Sequence, residues 1–225
     1  EDLRSDPEVE ASPEDFYDEV IEVDLSALEP YIVGPHSPDK ARPVSEFKQE
    51  IKAEDYPSKI SACLVGSCTN SSYEDLYKAS EVAKYAMSQG LKAQTQLMIT
   101  PGSMQIYSTI KRDGILDTLE RFGGKVLANA CGPCIGQWKR DEIKLGDRNS
   151  IVTSFNRNFR GRNDANPETL SFITSPEVVV AYAIKGRIDE TPFQQGQKSS
   201  VIELTPPKAP ELPAKGFVKD QSGFE

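Results

Sequence analysis

Short apolar runs separated by amphipathic stretches fill the middle of the chain. Ile60 to Val65 is a largely apolar run ended by Gly66, the pattern of a buried strand. Leu76, Ala79, Val82, Ala83 and Ala86 recur at helical spacing. They predict a helix to about Gln89, opened by the capping-box spacing of Ser71-Ser72-Tyr73-Glu74 and stopped by Gly90. Thr95 to Ile99 is a second predicted strand. Thr100-Pro101-Gly102-Ser103 then caps a second helix, which Gly114 punctuates. A shorter helix is predicted from Ile115 to Phe122, a third strand from Lys125 to Leu127 and a fourth from Ile151 to Ser154. Ser175-Pro176-Glu177 starts the last helix, with proline at the first helical position; it runs to about Lys185, and Gly186 stops it. Towards the N-terminus the pattern fades. Val20 to Leu25 alternates weakly and is a candidate strand, and residues 30–59, rich in Pro, Lys and Glu, read as an irregular approach segment.

Alternating strands and helices argue for an α/β fold, a three-layer α/β/α arrangement with a mostly parallel sheet. The expected organisation is an acidic, irregular segment over 1–59, an α/β domain over 60–193, and a polar, Pro-rich linker over 194–225 leading to another domain. In such sheets, sites form in loops just beyond the carboxyl ends of the strands. Cys68 follows the first predicted strand, Cys131 the third and Asn156 the fourth.

The formal net charge of −9 is unevenly placed: residues 1–24 hold eleven acidic residues against Arg4 alone, so the remainder is close to neutral. No Lys/Arg cluster offers a track for phosphates, which argues against nucleic-acid binding. No apolar run reaches membrane-spanning length, and no basic segment followed by an apolar one marks a signal peptide. The chain starts with Glu and reads as a piece of something longer. Four cysteines, at 63, 68, 131 and 134, are too few for a disulfide-stapled scaffold of this length and point to metal or redox chemistry.

Cys131-Gly132-Pro133-Cys134 invites a thiol-exchange reading. Against it, Ala130 rather than Trp precedes the motif, Gly136 breaks the helix that should follow, and Pro176 reads as a helix start rather than a cis turn. A structural zinc site needs four closed ligands. Cys63 lies inside a strand, five residues from Cys68 and pointing to the other face, so it reads as a core residue. His36, in Gly34-Pro35-His36-Ser37-Pro38, reads as an exposed loop histidine. Three thiolates remain, each in a Gly-flanked loop. That number suits a four-iron cluster with one iron open to a substrate hydroxyl. The stretch Ser154–Pro167 packs three arginines and four asparagines into fourteen residues. A solvated, Asn-capped loop is the plain reading. Arginine forks also match carboxylates, so beside an open iron this stretch would bind a di- or tricarboxylic acid.

Together these residues resemble the aconitase family. The resemblance is carried by Gly66-Ser67-Cys68-Thr69-Asn70-Ser71-Ser72-Tyr73-Glu74-Asp75, by Ala128-Asn129-Ala130-Cys131-Gly132-Pro133-Cys134-Ile135-Gly136-Gln137-Trp138, and by Asn156–Pro167. It runs over nearly the whole chain and corresponds to the third domain of mitochondrial-type aconitases plus the start of the linker to the fourth. It implies that Cys68, Cys131 and Cys134 ligate a [4Fe-4S] cluster, that Asn156 hydrogen-bonds near it, and that Arg157 and Arg162 bind substrate carboxylate. It further implies a hydro-lyase that interconverts citrate and isocitrate through cis-aconitate in the mitochondrial matrix. The partners are then the tricarboxylate and the other domains of the parent chain, with neither nucleic acid nor membrane.

Two positions depart from the family pattern. Met104 stands where Glu is usual, and Lys139 where Asp is usual. Both suggest a paralogue acting on a homologous tricarboxylate such as homocitrate or homoaconitate. In the family the serine base and its arginine come from the fourth domain, and the acid groups come from the first two. None lies in this chain, so no catalytic residue is assigned here and the isolated chain is expected to be inactive. A non-catalytic binding module is the remaining class. Without irons, Cys131 and Cys134 are expected to be exposed thiols of low pKa that oxidise readily.

Overall fold

A computed structural model describes residues 4–192, 204–207 and 209. The chain forms a helix α1 (Pro7–Ala11), strands β1 (Tyr31–Val33) and β2 (Ala41–Pro43), and helix α2 (Phe47–Ala53). The regular alternation follows: β3 (Ile60–Gly66), α3 (Tyr73–Ser88), β4 (Gln96–Thr100), α4 (Met104–Arg112), α5 (Ile115–Phe122), β5 (Gly124–Val126), β6 (Asn149–Thr153), β7 (Thr169–Ile173) and α6 (Pro176–Lys185). The sheet order is β2-β1-β7-β6-β3-β4-β5. The five strands from β7 to β5 pair in parallel, and β1 and β2 add an antiparallel edge. This is the expected α/β fold, and it fits a three-layer α/β/α arrangement.

Strand alternation divides the core between the two faces of the sheet. On one face Cys63, Val65, Leu97, Ile99 and Val152 pack under α3, α5 and α6, with Leu76, Ala79, Leu119 and Val179 among the fully buried partners. On the other, Ala62, Leu64, Met98, Ile151 and Phe155 form a smaller cluster. That face is covered by chain between elements, through Leu127, Cys134 and Trp138. Among the described residues no helix is long and apolar enough to cross a membrane.

The best-predicted helices are those with two chemical ends. Gly114 and Gly123, both in the left-handed region, bracket α5, and Pro176 and Gly186 bracket α6. The α3 cap is shifted by one residue from expectation. Ser72, not Ser71, is the N-cap: its hydroxyl accepts from the Asp75 amide at 3.1 Å, and the Asp75 carboxylate accepts from the Ser72 amide at 3.0 Å. Such a cap stabilises a helix by about 1 kcal/mol.

Two expectations are corrected. Val20–Leu25 is not a strand: among the described residues nothing pairs with it, and its apolar side chains are exposed, Ile21 to 77%. Residues 30–59 are not irregular, since β1 and β2 extend the sheet and Phe47 of α2 packs edge-on against Phe172 of β7. Strand β7 itself was not foreseen. The expected linker over 194–225 lies largely outside the described residues.

Candidate metal centre

Cys68, Cys131 and Cys134 sit in loops at one end of the parallel strands. Cys68 lies two residues past β3, in a turn whose tightness comes from Gly66. There φ is +139°, and a Cβ would stand 2.3 Å from the Thr100 carbonyl oxygen of β4, so only glycine fits. Ser67 follows with φ of 79°, a conformation non-glycine residues rarely hold. The turn is pinned from both sides. The Ser71 hydroxyl donates to the Ser67 carbonyl, and Asn70 Nδ2 donates to the Ser154 carbonyl past the end of β6 at 2.6 Å. The Gly66 amide donates to the buried Ser154 hydroxyl at 2.9 Å. Cys131 caps and Cys134 closes a single 3-10 turn, Gly132–Cys134, with Pro133 between them.

The Asn156–Asn166 stretch crosses the smaller-core face between β6 and β7. Asn163 Nδ2 donates to the Pro133 carbonyl at 2.9 Å, which fastens this stretch to the Cys131–Cys134 turn. The Cys134 Sγ–H points to Asn156 Oδ1 at 4.0 Å, a weak sulfur contact. Arg157 is exposed and makes no hydrogen bond or ion pair among the described residues. Arg162 is half-buried, with its guanidinium 5.1 Å from the Phe159 ring centroid. Arg160 points elsewhere, to Glu168 at 3.4 Å.

Burial pushes the Cys134 thiol above its ordinary pKa. The Arg162 guanidinium opposes that rise, while the nearby thiols of Cys131 and Cys68 add to it. Cys134 thus feels the Arg162 guanidinium and, more weakly, the thiols of Cys131 and Cys68. Cys68 and Cys131 are exposed, but Cys134 is half-buried with a raised pKa, so the expectation of a low-pKa thiol at Cys134 is corrected. Cys63 stands apart, fully buried under the helices with its thiol pushed up by desolvation alone. His36 also differs from expectation. It is half-buried, both ring nitrogens are buried without a hydrogen-bond partner among the described residues, and burial followed by Arg160 lowers its pKa.

Among the described residues no three His, Cys, Asp or Glu side chains meet closely enough to chelate a single ion. A four-iron cluster is wider than one ion and takes one thiolate per iron.

Sequence reasoning missed Arg140 and Asp164. Their side chains are 2% and 3% exposed and meet at 3.3 Å. No local pattern signals a pair separated by 24 residues.

A family profile described as the aconitase family (aconitate hydratase) matches residues 3–186. The chain is 48% identical over 218 residues to a probable mitochondrial aconitate hydratase of Dictyostelium discoideum, covering 96% of this chain and 28% of that protein. It is 51% identical over 219 residues to the mitochondrial aconitate hydratase of Emericella nidulans, covering 96% and 27%. With that of Saccharomyces cerevisiae it shares 50% over 212 residues, covering 93% and 27%. The chain thus spans little more than a quarter of the length of these relatives.

Proposed function

The chain belongs to the aconitase family, and from that premise we propose that it is the cluster-carrying part of a mitochondrial aconitate hydratase. In this reading Cys68, Cys131 and Cys134 hold a [4Fe-4S] cluster, and residues 60–193 form the unit that carries it. Residues 1–59 precede that unit, and 194–225 lead towards a further domain. The observation that carries the reading is that the arginine-bearing stretch is fastened to the Cys131–Cys134 turn through Asn163 and Pro133, with Cys134 on the smaller-core face, while Cys63 is shut away on the opposite face of the sheet.

The donor set fits such a group. Two of the thiols are exposed, and the third borders a small apolar cluster that excludes water from one side. Asn129 and Arg162 each keep a buried side-chain nitrogen without a partner, donors that sulfur anions would satisfy. When bound, the cluster would supply a Lewis-acidic iron that polarises a substrate hydroxyl. The protein side chains do the rest. Arg157, exposed and unengaged, and Arg162, braced on Phe159, present guanidinium forks to the carboxylates of citrate, isocitrate or cis-aconitate. Asn156 offers an amide beside Cys134. The acid and base groups of the dehydration come from other domains of the parent.

The test is turnover. The full-length parent should form cis-aconitate from isocitrate, and the 225-residue chain alone should not, even when supplied with iron and sulfide. Activity in the isolated chain would overturn the assignment of acid and base to other domains.

One observation favours a second reading, a paralogue acting on homocitrate or homoaconitate. Met104, in place of the usual acidic residue, opens α4 just past the carboxyl end of β4 and is half-exposed there. Comparing kcat/KM of the parent for citrate and homocitrate separates the two.

A further inference from the structure

We infer that Arg140 is a positioning residue: through Asp164 it fixes where the Asn156–Asn166 stretch crosses the sheet, and so where Arg162 stands against Cys134. The inference rests on the cluster reading above and extends it to a residue that touches neither cluster nor substrate.

The Arg140 guanidinium is held at every side but one. Nε donates to Glu142 at 3.0 Å; Nη1 donates to Asn149 Oδ1 at 2.9 Å and to Asp164 Oδ2 at 3.3 Å. Its face lies 4.5 Å from the Trp138 ring centroid, and Trp138 packs against the same apolar cluster as Cys134. Among the described residues only Nη2 finds no partner. Asp164 is held equally firmly. It accepts from the Thr169 hydroxyl at 2.8 Å and from the Asn166 amide at 3.1 Å. Asn149 joins the two halves, accepting from Ser61 of β3 at 2.8 Å and donating to the Thr169 hydroxyl at 2.9 Å. Ser61, Asn149 and Thr169 lie at the amino-terminal ends of β3, β6 and β7. The clamp therefore grips the crossing stretch at the end of the sheet opposite Cys68.

A buried ion pair is a poor source of stability, because desolvation of both partners offsets their attraction. What it supplies is direction: each partner must sit where the other, and its hydrogen bonds, require. Between Asp164 and Arg162 lies only Asn163, whose amide donates to Pro133 inside the cysteine turn. Displacing Asp164 moves Asn163 and Arg162 with it. Cys68 is fastened separately, through Asn70 and Ser154, and should not respond.

Three variants of the full-length parent test this: Arg140→Lys, Asp164→Asn, and the apolar double replacement Arg140→Met with Asp164→Leu. The lysine keeps the charge but cannot reach three partners; the double replacement removes both buried charges, so stability recovers. Two readouts are taken on each variant. The first is the rate of iodoacetamide labelling at Cys134 relative to Cys68 in protein stripped of iron. The second is KM against kcat for isocitrate in loaded protein. We expect Cys134 labelling to change at least threefold with Cys68 unchanged, and KM to rise about tenfold with kcat less affected. The double variant should melt like the parent and yet keep both defects. If the double variant regains wild-type labelling and KM along with its stability, or if Arg140→Lys changes neither readout, the inference fails. It also fails if none of the three variants folds, for the pair is then structural. Because the labelling is read without iron, failure of the parent to take up a cluster overturns the cluster reading and leaves the labelling result standing.

Discussion

The Asn163 side-chain amide donates to the Pro133 carbonyl at 2.9 Å, a buried bond that joins the arginine-bearing stretch to the turn between two cysteines. Without it, the carbonyl would be left in a dry site with no partner. Leaving a buried acceptor unsatisfied costs about 1–3 kcal/mol. Asn163→Ala should therefore lower stability by about that amount. In the parent it should also raise KM for substrate, since Arg162 is the adjoining residue. Denaturant unfolding of the chain and kinetics of the parent check the two halves, and an unchanged midpoint would show the bond to be dispensable.

Arg157 and Arg162 should respond differently to lysine. Arg157 is exposed and unengaged, so Arg157→Lys should leave melting unchanged. Its effect should appear in substrate binding, where losing a charge-assisted contact costs about 1.5–3 kcal/mol in kcat/KM. Arg162 also stacks on Phe159 and neighbours Cys134. Arg162→Lys should lose the same binding energy and about 0.5–1 kcal/mol of stability from the ring contact. Thermal melting and kinetics measured together would contradict this if both variants melted lower while efficiency held.

Cys63 should set part of the alkaline limit of the fold. Its ordinary thiol pKa is 9.0, and burial raises it in the folded chain. Above about pH 9 the unfolded chain releases the proton and the folded chain keeps it, so stability falls as pH rises. Below that value both states are protonated and the group has no effect. Cys63→Ala should therefore show a shallower fall above pH 9, by up to about 1.4 kcal/mol per pH unit. Unfolding midpoints from pH 7 to 10 provide the check, and parallel curves would rule the thiol out.

The legible parts of the sequence were those whose signals are local. Helices α5 and α6 matched their predicted bounds because glycine or proline marks both ends of each. The two cysteine-bearing loops, one with Cys68 and one with Cys131 and Cys134, were legible because each is a short polar segment following an apolar run. What needed the third dimension was lost. Strands β1 and β2 have three residues each, and β2 ends in Pro43, too little pattern to outweigh the surrounding Pro and Lys. Val20–Leu25 carried a period-two signal with no strand to pair with, and a strand without a partner does not form. Strand β7 alternates Leu170 and Phe172 with Thr169 and Ser171, but both sets are buried in a parallel sheet, so no solvated face marks it. The Arg140–Asp164 clamp joins segments whose proximity only the fold creates.

In the proposed reading, three of the four cysteines hold one cluster. It is tested most directly by iron and acid-labile sulfide content, with the absorption spectrum, of the anaerobically purified full-length parent and its four single Cys→Ser variants. A full [4Fe-4S] complement is expected in the parent and in Cys63→Ser, and its loss in Cys68→Ser, Cys131→Ser and Cys134→Ser, each still folded. A cluster that survived any of those three substitutions intact, or that vanished in folded Cys63→Ser, would contradict it.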